Sequence, residues 1–193
     1  MFEAIACDIR EIVLSSGYVN THFEWCELVR RGDVTYPAQY TNGGNYEQAF
    51  NNDVNGNSYL RKNGTVSFAK PPGKNGIKLT SCGGDNLVQM TLPLRLVMVV
   101  PKNKLEDNAF SDDLLVQDMT ALLQGSVDLP ESGAINMKYQ VTGSDTDSLS
   151  IWSAEVKGVE YQMNFKYSYV AINFNVVAII NPNCLYRSCA YNY

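Results

Sequence analysis

Apolar residues near the N-terminus recur at the spacing of one helical face, and charged residues fill several of the positions between them. The apolar positions are Phe2, Ile5, Ile9, Ile12 and Val13. This pattern predicts an amphipathic α-helix over residues 2–15, which the Ser15-Ser16-Gly17 sequence ends. The helix therefore needs an apolar layer to cover its inner face.

Several later segments have the hydrophobic pattern of β-strands. Alternation with a period of two predicts strands over residues 19–29, 134–142, 160–164 and 166–180. Residues 87–100 differ, because they become apolar on both faces toward their end, which indicates a central strand covered on both sides. Pro93 lies within this run and indicates a bulge or a position without a strand partner.

A second helix is expected after the long central strand. Ser111 can cap it, Asp112 and Asp113 lie in its first turn, and Gly125 stops it. Its apolar residues are Leu114, Leu115, Met119, Leu122 and Leu123. These positions give the helix an apolar face that can pack on the sheet.

A short third helix opens at Asp147 or Ser148 and closes at Gly158. Its apolar positions are Leu149, Trp152 and Val156. Alternating helices and strands without an internal repeat predict an α+β fold, with two to three helices packed on one face of an antiparallel sheet. A chain of 193 residues and 21.5 kDa suits a single domain over residues 1–193.

Residues 34–86 are rich in turn signals. Asn-Gly pairs recur through this region, and each favours the positive φ of a tight hairpin turn. Short strand-like runs lie between the turns, at residues 36–40, 46–50, 58–61 and 65–69. We interpret the region as a hairpin-rich insertion of two hairpin-like excursions, because its aromatic residues could be buried and a disordered linker would lack them.

The charge and composition of the chain favour contacts with other proteins over binding of nucleic acid. The net charge is −5 and no run of Lys and Arg is present, whereas phosphate binding needs clustered cations. An acidic wall can still enclose DNA and let it slide, because it repels phosphates. The chain contains 19 Asn and 12 Tyr, which suit interfaces, although an Asn-rich source genome would also explain the asparagines.

The N-terminal segment and the apolar runs of the chain indicate a protein that is made and kept in a cytoplasm. The N-terminal segment carries acidic residues and lacks the basic start and apolar core of a signal peptide. The longest apolar stretch, residues 92–100, contains Pro93 and Arg95 and is shorter than the roughly 20 residues of a membrane-spanning helix. We therefore expect no membrane partner.

Candidate catalytic and metal-binding groups are sparse. His22 is the only histidine, and a surface or structural role accounts for it. The segment 53–57 resembles a calcium loop, but its glycine comes too early, so we interpret it as a turn. Ser144, Asp145 and Asp147 are expected to form a small acidic loop that caps the third helix. These patterns predict no enzyme, no cofactor and no metal.

The chain contains five cysteines, and an odd number in a chain of this length does not indicate a disulfide framework. They are Cys7, Cys26, Cys82, Cys184 and Cys189. We expect buried free thiols. Cys184 and Cys189 are close enough in sequence to pair, but a zinc site would need two further ligands.

Two regions of the sequence resemble a known family. Residues 32–40 (GDVTYPAQY), 44–46 (GNY) and 58–64 (SYLRKNG) look like the hairpin region of the ring-forming tail-terminator or head–tail joining proteins of tailed bacteriophages, the crAss-like phages above all. In the second half, the long strand, the helix at Ser111, the short helix at Leu149 and residues 167–174 (YSYVAINF) resemble the sheet-and-two-helix core of that fold. The insertion over residues 40–86 is longer than in a minimal terminator.

The resemblance implies a structural virion protein in a six- or twelve-fold ring of the head–tail connector or tail collar. Portal, connector or tail proteins would be its neighbours, and DNA would pass through the lumen only as cargo. Subunits would pair through a sheet edge, and hairpin aromatics would reach across the joint. These interface candidates are Tyr36, Tyr40, Tyr46, Phe50 and Tyr59. The alternative is a monomeric, adhesin-like module in which the same residues bind protein or glycan.

Overall fold

The computed structural model describes residues 1–31, 34–41, 45–48, 51–52, 58–59, 66–70, 77–82, 87–105, 111–146 and 167–181. Helix α1 spans Phe2–Ser15 and helix α2 spans Ser111–Leu123. The strands are β1 (Thr21–Arg31), β2 (Val34–Thr41), β3 (Asn45–Gln48), β4 (Asn51–Asn52), β5 (Ser58–Tyr59), β6 (Val66–Lys70), β7 (Lys78–Cys82), β8 (Leu87–Pro101), β9 (Gly125–Val127), β10 (Ala134–Asp145) and β11 (Tyr167–Ile180). Short 3₁₀ turns cover Lys102–Lys104 and Pro130–Ser132.

One nine-stranded sheet organises the described part of the chain. Its order is β3-β2-β1-β6-β8-β11-β10-β9, and β7 pairs with β8 on the same side as β6. Strands β8 and β11 pair antiparallel along almost their whole length and form the centre. The β1–β6 pair is parallel, and the other pairs of described strands in this sheet are antiparallel. Strands β4 and β5 form a separate two-stranded ribbon.

The main hydrophobic core lies between the two helices and one face of this sheet. Alternate residues of β8 and β11 point to the helices and are buried there. This burial has the period of two residues that is characteristic of a β-strand. Ile5, Ile9 and Val13 come from α1, and Leu115, Met119 and Leu123 come from α2. Tyr139 of β10 joins this layer and contacts Phe174 edge to face, at 5.9 Å between ring centroids.

The opposite face of the central strands is also buried. Val97 and Val99 of β8 and Ala171 of β11 have no exposed surface, and they belong to the face away from α1 and α2. Phe23 of β1 is 3% exposed and reaches the same face through its pairing with β6. The expectation that residues 87–100 form a central strand covered on both sides is therefore confirmed.

The α+β fold class is confirmed, with a largely antiparallel sheet and two described helices on one face. The bounds of α1 and α2 agree with the helical patterns, β1, β10 and β11 fall where alternation predicts strands, and β8 falls where the apolar run predicts the central strand. The third helix, expected between Asp147 and Gly158, lies outside the described residues. The strand expected at residues 160–164 also lies outside them.

The hairpin-rich region contributes more to the sheet than the sequence suggested. Strands β2 and β3 form the expected hairpin, and β4 and β5 form another. However, β6 lies between β1 and β8 in the main sheet, and β7 also pairs with β8. The interpretation of residues 65–69 as part of a hairpin excursion was wrong, because their partners are distant in sequence.

Pro93 lies opposite Asn175 in an uninterrupted β8–β11 register, so the expected bulge is absent from that pair. On the other side of β8, the pairing with β7 ends at Thr91 and the pairing with β6 begins at Arg95. On that side of β8, Pro93 therefore lies between the residues that pair with β7 and those that pair with β6, where no described strand pairs with it. Such a position suits a residue that has no backbone N–H to donate.

Candidate functional site

Strand β7 presents an accessible edge of the main sheet. Residues 77–81 are all exposed, and Leu79 leaves 65% and Ile77 41% of their surface in contact with solvent. One side of β7 pairs with β8, and none of the described strands pairs with its other side. We call Lys78–Cys82 the β7 edge. Its combination of exposed apolar side chains and exposed strand is typical of a surface that pairs with another chain.

The C-terminal half of β10 presents a second edge on the opposite side of the sheet. Among the described strands, only β9 pairs with the outer side of β10, and it covers Met137 to Tyr139, whereas β10 pairs with β11 on to Asp145. We call residues 140–145 the β10 edge. Gly143 is exposed, and a Cβ placed on it would meet no atom within 4 Å. Because glycine has no side chain, its exposure means that the backbone itself is open to solvent at this point.

Side-chain contacts hold the β10 edge in a defined conformation. The Val141 N–H donates a hydrogen bond to Gln124 Oε1 at 2.9 Å, and Thr142 Oγ1 donates to the Asn173 carbonyl at 3.1 Å. Asp145 forms an ion pair with Arg95 at 3.7 Å. The register shifts between Val141 and Gly143, as at a β-bulge. The edge is therefore accessible but ordered, which lowers the entropic cost of pairing it with another strand.

The predicted interface aromatics lie on a ribbon that continues from the sheet. Strand β1 pairs with β6 through its first half and with β2 from Cys26 onward, so β2 and β3 join the sheet only through the second half of β1. Tyr40 and Tyr46 are direct cross-strand partners, and Tyr36 lies opposite Val29. Strand alternation assigns Tyr36, Tyr40 and Tyr46 to the same face of this ribbon.

The other two interface candidates are not brought together with these three. Tyr59 lies on β5, opposite Asn51 of β4, in the separate two-stranded ribbon. Phe50 lies outside the described residues. The register therefore brings Tyr36, Tyr40 and Tyr46 to a common strand face, and the interface role of all five residues stays a prediction.

A cleft of about 280 Å³ lies between α1, the end of α2 and strands β9 and β10. At its base the Tyr139 hydroxyl donates a hydrogen bond to Asp8 Oδ2 at 2.6 Å. Burial raises the pKa of Tyr139, and the hydrogen bond to Asp8 and the charge of Asp8 raise it further. The hydroxyl therefore stays protonated, so it ties β10 to α1 and cannot act as a base.

His22 lies on β1 and is uncharged at neutral pH. Its pKa is lowered from 6.5 to about 4, because burial disfavours the charged imidazolium and the positive charge of Arg10 disfavours it further. A base with this pKa is a weak proton acceptor at pH 7. The structural role expected for His22 agrees with this environment.

Two expectations about other reactive groups were wrong. Ser144 and Asp145 do not form a loop, because they lie in β10, opposite Ile172 and Ala171, and Arg95 pairs with the Asp145 carboxylate. Cys7 is a free thiol, but it is exposed, since it lies on the outer face of α1. Several other candidates lie outside the described residues, namely Asp147, Cys184, Cys189 and the segment 53–57. The residues on either side of that segment, Asn52 and Ser58, are paired with each other.

The described residues contain no group of three or more His, Cys, Asp or Glu side chains arranged to hold a metal ion. Among the described helices, none is long and apolar enough to span a membrane.

No protein-family model matches the chain, and no curated protein matches it at a significant level. The functional argument therefore depends on the two sheet edges and the tyrosine ribbon.

The sequence analysis missed both sheet edges. The exposure of Leu79 and Gly143 depends on which strands lie beside β7 and β10. The alternation of hydrophobic and polar residues within one strand does not show which strands are its neighbours. One signal was available in the sequence. The run of small polar residues around Gly143 is unusual for a strand that is paired on both sides, because glycine weakens a strand interior.

Proposed function

We propose that this protein is a structural ring subunit of a tailed-bacteriophage virion, in the head–tail connector or tail collar. The observation that supports this function best is the presence of accessible strands on opposite sides of one sheet, the β7 edge and the β10 edge. Two different edges favour head-to-tail contacts, in which one surface of a subunit meets a different surface of the next. Contacts of this type close into rings when the rotation between subunits allows it.

The charge of the subunit fits passage of DNA through such a ring. Each copy contributes a net charge of −5, so the phosphate backbone is repelled by the ring as a whole. Portal and tail proteins would then be the stable neighbours, and DNA would be cargo. A six- or twelve-fold ring that conducts DNA without holding it is the arrangement that we infer.

The mass of the purified protein in solution tests the proposal directly. Sedimentation velocity and negative-stain imaging should detect closed rings with a mass that is a fixed multiple of 21.5 kDa. A protein that remains monomeric at high concentration, and also when mixed with portal and tail proteins of its virion, would contradict it. Glycan binding by that monomer would favour the alternative, a monomeric protein- or glycan-binding module.

The tyrosine ribbon supplies a prediction within the same proposal. Replacing Tyr40 and Tyr46 by Ala removes a cross-strand aromatic pair from β2 and β3, which lie at one end of the main sheet. We expect the double variant to assemble poorly while the free energy of unfolding of the monomer stays close to that of wild type. The measurements are particle mass by sedimentation and stability by urea unfolding. Normal assembly of the variant would remove the ribbon from the interface.

A further inference from the structure

We propose that the β7 edge of one copy pairs antiparallel with the β10 edge of the next copy, so that the sheets of neighbouring subunits form one continuous sheet. This inference rests on the proposed ring and names the strands that join it. Three properties of the two edges support it: strand direction, the faces that their residues occupy, and charge.

Strand direction is the first. Strand β7 is antiparallel to β8, β8 to β11, and β11 to β10, so β7 runs opposite to β10 within one subunit. When copies are placed side by side with their sheets in the same orientation, β7 of one copy meets β10 of the next in an antiparallel arrangement. Antiparallel ladders have the better hydrogen-bond geometry. The strand directions therefore allow the β7 edge to pair antiparallel with the β10 edge of a second copy.

The faces of the two strands are the second property. Leu79 is in register with Met90 and Ser144 with Ile172, and both partners belong to the helix-side core. Leu79 and Ser144 therefore belong to the same face of their sheets, and placing them opposite each other keeps the helix side continuous across the joint. The exposed surface of Leu79 would then be covered by the neighbouring subunit.

Charge is the third property. In the register that pairs Leu79 with Ser144, Lys78 stands opposite Asp145 and Thr80 stands opposite Gly143. Lys78 is the only charged residue of the β7 edge and Asp145 the only charged residue of the β10 edge. A direct cross-strand pair of opposite charges stabilises a ladder, and like charges destabilise it. Among registers that preserve the faces, charge therefore selects this one.

The same two residues are far apart within one subunit. Two strands separate β7 from β10, so three strand spacings account for about 14 Å. Lys78 is level with Thr91, whereas Asp145 is level with Ala171 and hence with Val97, which adds about 20 Å along the strands. A covalent link of zero length between Lys78 and Asp145 can therefore form only between copies.

A carbodiimide, which joins an amine directly to a carboxylate, provides the test. Unlabelled and ¹⁵N-labelled chains are mixed before assembly, cross-linked and digested, and the peptides are identified by mass spectrometry. We expect a peptide that joins Lys78 to Asp145 and carries both labels. Rings that form without this peptide would overturn the inference and leave the ring proposal intact. A chain that gives no rings overturns both.

Charge variants test the same contact without cross-linking. Lys78→Glu should weaken association between subunits about tenfold, because it replaces an opposite-charge pair by a like-charge pair. Lys78→Arg should assemble as wild type, since the charge is kept. Lys102→Glu makes the same charge change at an exposed site after the end of β8 and is the matched control. Equal association of the two Glu variants would overturn the pairing, whereas a selective loss in Lys78→Glu would support it.

Discussion

At the scale of single residues, the fold clearly shifts the pKa values of His22 and Tyr139. His22 is held uncharged by burial, and Tyr139, 2% exposed, keeps its proton because burial and Asp8 both oppose ionisation. Neither group is placed to exchange a proton at neutral pH. Their effect is on the free energy of unfolding.

The stability of the protein should fall in acid through His22. Between pH 6.5 and about 4 the unfolded chain binds a proton on His22 that the folded chain does not bind. The stabilisation is therefore complete above pH 6.5 and is lost as the pH falls toward 4, a decrease of about 3 kcal/mol from this residue. Urea unfolding at pH 7 and pH 4 measures it.

His22→Gln is the control for this acid effect, because it removes the titrating group and leaves the carboxylates in place. Since His22 is the only histidine, the difference in pH dependence between the two proteins isolates it. Identical pH dependence of wild type and variant would show that His22 does not titrate as described.

The hydroxyl of Tyr139 should contribute more to stability than the hydroxyl of Tyr18. Both donate to a carboxylate, Tyr139 to Asp8 at a half-buried site and Tyr18 to Asp118 at an exposed one. Tyr139→Phe should lower the free energy of unfolding by about 2 kcal/mol, and Tyr18→Phe by less than about 1 kcal/mol. Chemical denaturation of both variants checks this, and equal losses would contradict the role assigned to burial.

At the scale of elements, α2 illustrates how an amphipathic pattern is divided between core and solvent. Five apolar residues suggested a broad buried face, but Leu115, Met119 and Leu123 are buried whereas Leu114 is 37% and Leu122 46% exposed. The buried three follow the spacing i, i+4, i+8 of a single stripe. The sheet below is covered by α1 as well as α2, so each helix buries a narrow stripe.

Adjacent leucines of α2 give a matched test of this division. Leu115→Ala should lower the free energy of unfolding by about 3 kcal/mol, because it leaves a cavity in the core. Leu114→Ala makes the same chemical change at a site that keeps 37% of its surface exposed, and it should cost less than about 1 kcal/mol. Thermal or urea unfolding of the pair is the measurement. A larger loss at Leu114 would mean that α2 is rotated about its axis.

At the scale of the whole molecule, the charge balance and the two sheet edges point to the same kind of protein. Only 18% of the residues are charged, whereas the chain contains 19 Asn and 12 Tyr, a composition that suits contacts between proteins. In the proposed ring, a net charge of −5 per copy would add up over the subunits. Assembly and repulsion of DNA are thus compatible in one structure.

The proposed ring should not bind duplex DNA. Because each subunit is acidic, we expect no retardation of linear DNA at physiological salt, even at protein concentrations above the roughly micromolar range where non-specific binding proteins act. Gel retardation with the ring and with a basic protein as positive control measures this. Salt-sensitive retardation by the ring would contradict a lumen through which DNA slides.

The sequence by itself determined the identity of the main elements. Hydrophobic patterns predicted α1, α2, β8 and β11, because the apolar residues that each element buries are visible in its own sequence. It also predicted burial on both sides of β8, since Leu96 to Val100 are apolar without interruption. The net charge likewise follows from composition.

Only the tertiary structure decided which strands are neighbours. Strand β6 lies between β1 and β8, although the sequence suggested a hairpin. Asp145, which was expected in a loop, lies in β10, where it is opposite Ala171 and forms an ion pair with Arg95. The candidate site depends on the same information, since the edges at Leu79 and Gly143 exist only because no described strand covers them. Strand partners are chosen by contacts between residues far apart in the chain, and a local pattern carries no record of them.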